Sequence, residues 1–409
     1  MPISRRSFLT RAALGGTVLS TAVASAQNTP NIAGFDQTQT VIDDSTVWQQ
    51  TFDRKIKMGL VGFGACQFGT QFALQDHPNV EIVAVSDLFP DRCAAMAQVA
   101  RCEKTYPSLE EMLKDDSIEA IFLGTDAPSH AQQCLDVMKR GKHVATACPA
   151  TWGNLEEADM LFEMVKETKL NYMMFETSAY HDKVYAARQI YKADGFGELI
   201  YTEGEYYHYF PTMYIGSHNN WRVGLPPQWY PTHSNAYYIC VTDGSFTEVS
   251  CMGKPSIIPH LMPENNVYKN PFGSEIALFR TSEGGTARMA VCWDLPQMHG
   301  EVGRMSGQKG HFWGTRYIDI QGRDILNTDE PLKSVKWKKP PLPPTVSPGG
   351  HGGSHGHLGH EFVMSILENR KPYVDIALSL NMTVAGIVAH QSALKDGELL
   401  KIPQYVFPG

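Results

Sequence analysis

The chain has 409 residues, 43% hydrophobic and 19% charged, with a formal net charge of −8 at neutral pH. That length suits two domains at roughly 100–200 residues each, and an acidic balance without a basic run excludes the electrostatic footprint of a nucleic-acid binder. Eight scattered cysteines with no Cys-x-x-Cys pair argue for buried free thiols rather than a disulfide framework.

The first element is a leader. Ser4-Arg5-Arg6-Ser7-Phe8-Leu9-Thr10 precedes an apolar run from Ala12 to Ala24, and Ala24-Ser25-Ala26 offers a small-residue cleavage site. Residues 1–26 are therefore expected to be a twin-arginine signal peptide, removed after export to the periplasm or beyond. The run is shorter than the ~20 residues that span a bilayer, so no membrane anchor is expected. Loss of Arg5, Arg6 and Arg11 would take the mature chain to −11. Residues 27–54 are polar and weakly patterned, either a tether or an arm that wraps a partner subunit in a homo-oligomer.

Next comes a buried strand up to Val61, followed by Gly62-Phe63-Gly64-Ala65-Cys66-Gln67-Phe68-Gly69, which opens a helix. Gly62 permits a tight turn, and Gly64 lets the backbone approach a pyrophosphate. The third glycine of the pattern is replaced by Gln67, with Gly69 two residues on. A second strand, Val80 to Ser86, ends in Asp87, whose carboxylate suits ribose hydroxyls and repels a 2′-phosphate. NAD is the expected cofactor. Free nicotinamide cofactor is scarce outside the cytoplasm, so an exported protein of this kind should carry it along and regenerate it within each turnover.

Strands at 120–123, 143–146 and 172–175 alternate with helices at 128–140 and 155–168. This rhythm predicts a doubly wound parallel sheet, a Rossmann domain over residues 55–176. From Glu198 the pattern changes to longer alternating runs at 198–209, 246–252, 275–279, 286–293 and 317–321. These predict an α+β domain over residues 177–409 with a large, mainly antiparallel open sheet. Helices near 355–368 and 377–395 close the chain, and Pro340 to Pro348 reads as a surface crossover.

In this order the chain resembles the Gfo/Idh/MocA oxidoreductase family across its mature length. The carrying motifs are the glycine loop, Asp87, Gly141-Lys142-His143-Val144, Glu176-Thr177-Ser178-Ala179-Tyr180-His181, Gly197-Glu198-Leu199-Ile200 with Glu203-Gly204, Trp221-Arg222, Tyr230-Pro231-Thr232-His233 and Gly350-His351-Gly352-Gly353. Within the family it is most similar to NAD-dependent glycosidases typified by α-N-acetylgalactosaminidases. The resemblance implies His233 as a catalytic histidine, Tyr180 as a substrate-contacting tyrosine and His351 at the sugar and cofactor cleft. It also places Pro149 beside Gly62, Gly64, Gln67 and Asp87 among the cofactor-binding residues. One departure matters. Where most family dehydrogenases have Glu-Lys-Pro, this chain has Ala147-Cys148-Pro149, so the lysine that handles the hydroxyl proton is missing. Cys148 reads first as a buried packing thiol, with a redox or nucleophilic role as the alternative.

Replacement bases are His233, whose imidazole titrates near working pH, and Tyr180 and His181, which follow the last parallel strand where ligands of open sheets collect. A loop-satisfying role is the plain alternative for His233, a structural one for His181 and a salt bridge for Arg222. Otherwise Arg222 forks onto a substrate oxygen, and Trp221 and Tyr230 offer platforms to the apolar faces of a carbohydrate. The histidines at 351, 355, 357 and 360 are read as a metal-free loop and helix start, with His355, His357 and His360 as the minor zinc candidates.

The expectation is an exported NAD-dependent glycosidase that works by transient sugar oxidation, elimination and water addition. A periplasmic NAD(P)-dependent sugar oxidoreductase and a non-catalytic NAD-binding protein are the alternatives.

Overall fold

The computed structural model describes residues 47–209, 218–295, 300–314, 316–322 and 339–407. The leader and most of the expected arm lie outside these residues. The first sheet has six parallel strands in the order β3-β2-β1-β4-β5-β6: β1 (Ile56–Val61), β2 (Val80–Ser86), β3 (Thr105–Tyr106), β4 (Ala120–Leu123), β5 (His143–Ala147) and β6 (Tyr172–Phe175). The order reverses between β1 and β4, where a doubly wound sheet opens a crevice at its carboxyl edge. The helices between strands are α1 (Phe68–Gln71), α2 (Pro90–Ala100), α3 (Leu109–Met112), α4 (His130–Lys139) and α5 (Leu155–Thr168). Strands β4 and β6 are buried at every position, which is why they read as continuous apolar runs.

Helix α6 (Asp182–Lys192) leads into the second sheet, which contains β7 (Leu199–Tyr207), then, after α7 (Thr232–Thr242), β8 (Phe246–Pro255), β9 (Phe272–Thr281), β10 (Thr286–Cys292), β11 (Glu301–Gly307), β12 (Gly310–Trp313) and β13 (Arg316–Asp319). The chain closes with the single turn α8 (Gly350–Gly353), α9 (His355–Leu367), α10 (Ile376–Ala393) and β14 (Leu400–Lys401). The eight strands run β13-β12-β11-β7-β10-β9-β8-β14, antiparallel except for the parallel pair β7 and β10. Helices α7 and α10 cover one face. On the other face β8 and β9 expose Met252, Ile276 and Leu278, with Met252 opposite Ile276. Among the described residues no helix is long and apolar enough to cross a membrane.

The expected fold class is the observed one, with several local differences. Helix α7 replaces the loop assumed around His233. Ten of its eleven residues are buried, so it lacks the amphipathic period that marks a surface helix. Helices α2, α3 and α6 and strands β3, β11, β12 and β14 are also additional; β3 and β14 have two residues each, and β11 is mixed in polarity.

Candidate active site

The cofactor side is built by the β1 turn. Gly62 has φ +93°, and a Cβ there would come within 2.6 Å of the Gly124 backbone. A Cβ on Gly64 would meet nothing within 4 Å, so its backbone faces open space that a pyrophosphate can enter. The third glycine's packing role falls to Gly69, where a Cβ would lie 2.5 Å from the Gly62 carbonyl oxygen. Gln67 instead takes the left-handed turn, φ 50°, before α1. That helix is one turn long, so the loop amides rather than a long helix dipole face the ligand. Asp87, at the carboxyl end of β2, accepts the Phe63 N–H at 2.6 Å and the Phe89 N–H at 2.9 Å. These bonds fix the carboxylate at the wall of a cleft that also includes Gly62, Gly64, Gln67, Trp221 and Arg222. The loop and carboxylate fit NAD. Pro149 does not line this cleft. Its carbonyl accepts a hydrogen bond from His130 Nδ1 at 2.9 Å, which turns it toward α4.

Arg222 links the glycine loop to the aromatic pair Trp221 and Tyr230. Its guanidinium lies 4.2 Å from the Trp221 ring centroid and 6.0 Å from that of Tyr230, while Nη2 is 3.9 Å from the Cys66 sulfur in the glycine loop. Trp221 and Tyr230 stack at 6.5 Å between centroids. Both are buried; Trp221 lines the cleft, and Tyr230 is stacked on it.

Beside Tyr230, at 5.5 Å between ring centroids, His233 on α7 donates Nδ1–H to Glu176 Oε1 at 2.6 Å. Glu176 directly follows β6, and the same oxygen accepts the Ser178 N–H at 2.9 Å. Burial by itself would raise the Glu176 carboxyl, but the His233 charge and hydrogen bond hold it down at about 2. Burial likewise lowers His233, yet Glu176 and then Glu301 outweigh it and raise the imidazole well above its ordinary value. The pair is therefore carboxylate and imidazolium in its resting state. The second ring nitrogen, Nε2, faces the Cys148 sulfur at 3.9 Å, and that sulfur lies 3.5 Å from the Tyr230 hydroxyl.

His181 sits beside this pair. Its Nδ1 is 3.3 Å from Glu301 Oε2, a carboxylate that also accepts the Ser178 hydroxyl. His181 Nε2 is buried and has no hydrogen-bond partner among the described residues. Burial lowers this imidazole, opposed by Glu301 and reinforced by His233, so it is neutral where His233 is charged. His351 closes the site from α8, its Nδ1 2.7 Å from His355 Nε2. Burial and then His233 lower its imidazole. Lys339 ties the loops together, donating to the carbonyls of Tyr180 at 2.8 Å and Gly352 at 3.2 Å.

Tyr180 is not brought to this cluster. Its ring stacks on His357 and meets Tyr373 edge-on, because the turn after Glu176 sends successive side chains to opposite sides. The zinc candidates do not converge either. His355 pairs with His351, His357 stacks on Tyr180, and His360 Nδ1 lies 2.9 Å from His77 Nε2. The sequence reading missed Glu176 and Glu301 as site residues. Glu176 stood within a quoted motif at the end of a parallel strand, which was a usable signal; Glu301 had none.

Residues 56–176 match the model of the Gfo/Idh/MocA family, described as an oxidoreductase family with an NAD-binding Rossmann fold. A glycosyl hydrolase family 109 protein from Saccharopolyspora erythraea is 22% identical over 99% of this chain and 94% of its own length. Glycosyl hydrolase family 109 protein 1 from Bacteroides fragilis is 26% identical over 41% of this chain, and the match spans 38% of that relative. Among solved structures, levoglucosan dehydrogenase in complex with NADH and levoglucosan superposes with a TM-score of 0.68 at 15% identity, over 86% of this chain and all of the other. An oxidoreductase domain protein from Kribbella flavida gives 0.69 at 15% identity over the same shares; at that identity the likeness is one of fold. Residues 56–176 thus form a Gfo/Idh/MocA NAD-binding Rossmann domain, and along its length the chain is similar to glycosyl hydrolase family 109 proteins.

Proposed function

We propose that this protein is an exported NAD-dependent glycosidase in which sugar oxidation is transient and the C1 substituent leaves by elimination. The observation that carries the reading is the buried Glu176–His233 pair set beside a neutral His181, next to the Tyr230 ring that stacks on Trp221 of the cofactor cleft. Neighbouring titratable groups pushed in opposite directions make an acid–base assignment. NAD, held by the Gly62 to Gly69 loop and Asp87, supplies reversible hydride acceptance at a sugar carbinol carbon, with C3 the expected position.

His233 exchanges the proton of the sugar hydroxyl: its neutral form takes that proton during oxidation, and the imidazolium returns it during reduction. The imidazolium also supplies the positive charge that the absent lysine would have placed beside an alkoxide. A ketone acidifies the adjacent C–H, and His181 Nε2 is the base that receives this proton. Loss of the C1 substituent and addition of water then complete hydrolysis without the pair of carboxylates that flank the bond in ordinary glycosidases. Tyr180, remote from these groups, has no part. Trp221, Tyr230, Arg222 and His351 bound the carbohydrate site.

Export rests on the paired arginines ahead of the apolar run, and a homo-oligomer on the exposed apolar residues of the second sheet. The deciding experiment follows an aryl glycoside in heavy water. Deuterium at the carbon next to the oxidised one is the expected result. Hydrolysis without deuterium would remove the elimination route, and a stable keto sugar without bond cleavage would favour the sugar oxidoreductase reading.

A further inference from the structure

We propose that Cys148 is the nucleophile of a thiol–imidazole–carboxylate triad, Cys148–His233–Glu176, which adds reversibly to a sugar carbonyl carbon in the cleft. The three groups stand in the order such chemistry requires, a nucleophile beside a base that a third group orients. The sulfur is 3.9 Å from His233 Nε2, and Nδ1 of the same ring is 2.6 Å from Glu176. The Tyr230 hydroxyl, 3.5 Å from the sulfur, is a second polar neighbour. All three ligating atoms lie within 4.8 Å of one another.

The other thiols differ. Cys93, Cys102 and Cys251 face backbone carbonyls, and Cys240 faces the Met382 thioether. Cys66, half-exposed, faces Arg222. Among the described cysteines, Cys148 is the one placed against a histidine. It also follows β5 at the carboxyl edge of the parallel sheet, where a doubly wound fold presents reactive groups to its ligand.

The step is a simple addition. The S–C bond forms as the carbonyl π bond breaks, the His233 imidazolium gives its Nε2 proton to the carbonyl oxygen, and the thiol proton takes its place on Nε2. Nothing is oxidised or reduced, and the product is a thiohemiketal. Such an adduct would keep a keto sugar in the cleft between its formation and its reduction. The class of electrophile rests on the proposed function; the triad does not.

The test uses the full chain with its cofactor on a Cys66→Ser background, so that exposure alone does not dominate. Iodoacetamide labelling followed by peptide mass spectrometry should modify Cys148 at least about tenfold faster than any other cysteine. Glu176→Gln and His233→Asn should each slow it by about tenfold or more. Dihydroxyacetone labelled with ¹³C at its carbonyl should give a tetrahedral, sulfur-bearing carbon resonance that Cys148→Ser abolishes. Should Glu176→Gln not fold, His233→Asn and Cys148→Ser still decide the matter.

Labelling of Cys148 at the rate of the other buried thiols would overturn the proposal. So would labelling that begins only after EDTA, the mark of a metal site on the same three residues, or fast labelling with no tetrahedral carbon. None of these readouts needs sugar turnover, so a failed deuterium experiment with an intact adduct would remove the glycosidase reading and leave the triad standing.

Discussion

The wall of the cofactor cleft and the chemical wall, the buried side-chain cluster beside it, are built by opposite rules. The cofactor wall is local: a strand, a glycine turn and the end of the next strand place Gly62, Gly64 and Asp87 together, and the loop presents backbone to the ligand. The chemical wall is assembled from distant segments, with Cys148 after β5, Glu176 and His181 after β6, His233 on α7, Glu301 on β11 and His351 on α8. Backbone recognition tolerates the loss of a glycine from its motif, since Gly69 takes over the packing that Gln67 cannot provide. Side-chain chemistry has no such tolerance. Each group there sets the charge of its neighbours, and removal of one changes the others.

The sharpest way to break the comparison is His233→Ala. Turnover should fall ~10²–10⁴-fold, the usual range for an acid–base group, while the NAD content of the purified protein, measured after denaturation, stays normal. A loss of cofactor together with activity would mean that the walls are not independent.

Asp87→Ala is the reciprocal change. It removes charge-assisted bonds worth ~1.5–3 kcal/mol each, so NAD affinity by titration calorimetry should fall by roughly ten- to a hundredfold. The turnover of fully loaded enzyme should change little. Unaltered binding would mean that Asp87 serves only to hold the Phe63 and Phe89 amides.

Glu176→Gln tests the coupling inside the chemical wall. Oxidation draws on neutral His233, so its rate should rise with pH through a midpoint above the ordinary imidazole value of ~6.5. The return of the proton draws on the imidazolium and should decline over the same range. With the Glu176 charge gone, His233 loses the first of the groups that raise it, and the midpoint should move to lower pH. A pH profile of kcat/KM that does not move would sink the assignment.

The smallest effect is expected from Tyr180→Phe. Its ring packs on His357 and Tyr373, away from the cluster, so stability should change by no more than about 1 kcal/mol and the pH profile should keep its shape. A large loss of turnover would return Tyr180 to the site.

Much of this was legible in the chain itself. Strands β2, β4 and β6 and helix α5 have the bounds that their apolar periodicity indicates, because each buries a whole run or one regular stripe. Helix α7 escaped notice for the opposite reason, being buried on all sides. The motifs found His233, His181 and Arg222 as individual residues, yet a motif cannot say which way a side chain points. Tyr180 and His181 are adjacent in sequence, and the turn directs them to different neighbours.

By itself the sequence determined the Rossmann domain, its glycine loop, the acidic residue Asp87 after the second strand, and the absence of the usual lysine, since these depend on local backbone geometry and residue type. Only the tertiary structure decided which groups surround Cys148 in that lysine's place. The charge on His233 exists because the Glu176 carboxylate, with Glu301 after it, outweighs the burial that would otherwise lower the imidazole. The neutrality of His181 comes from desolvation beside a neighbour already charged. Both are properties of distances between remote segments, which no linear pattern encodes.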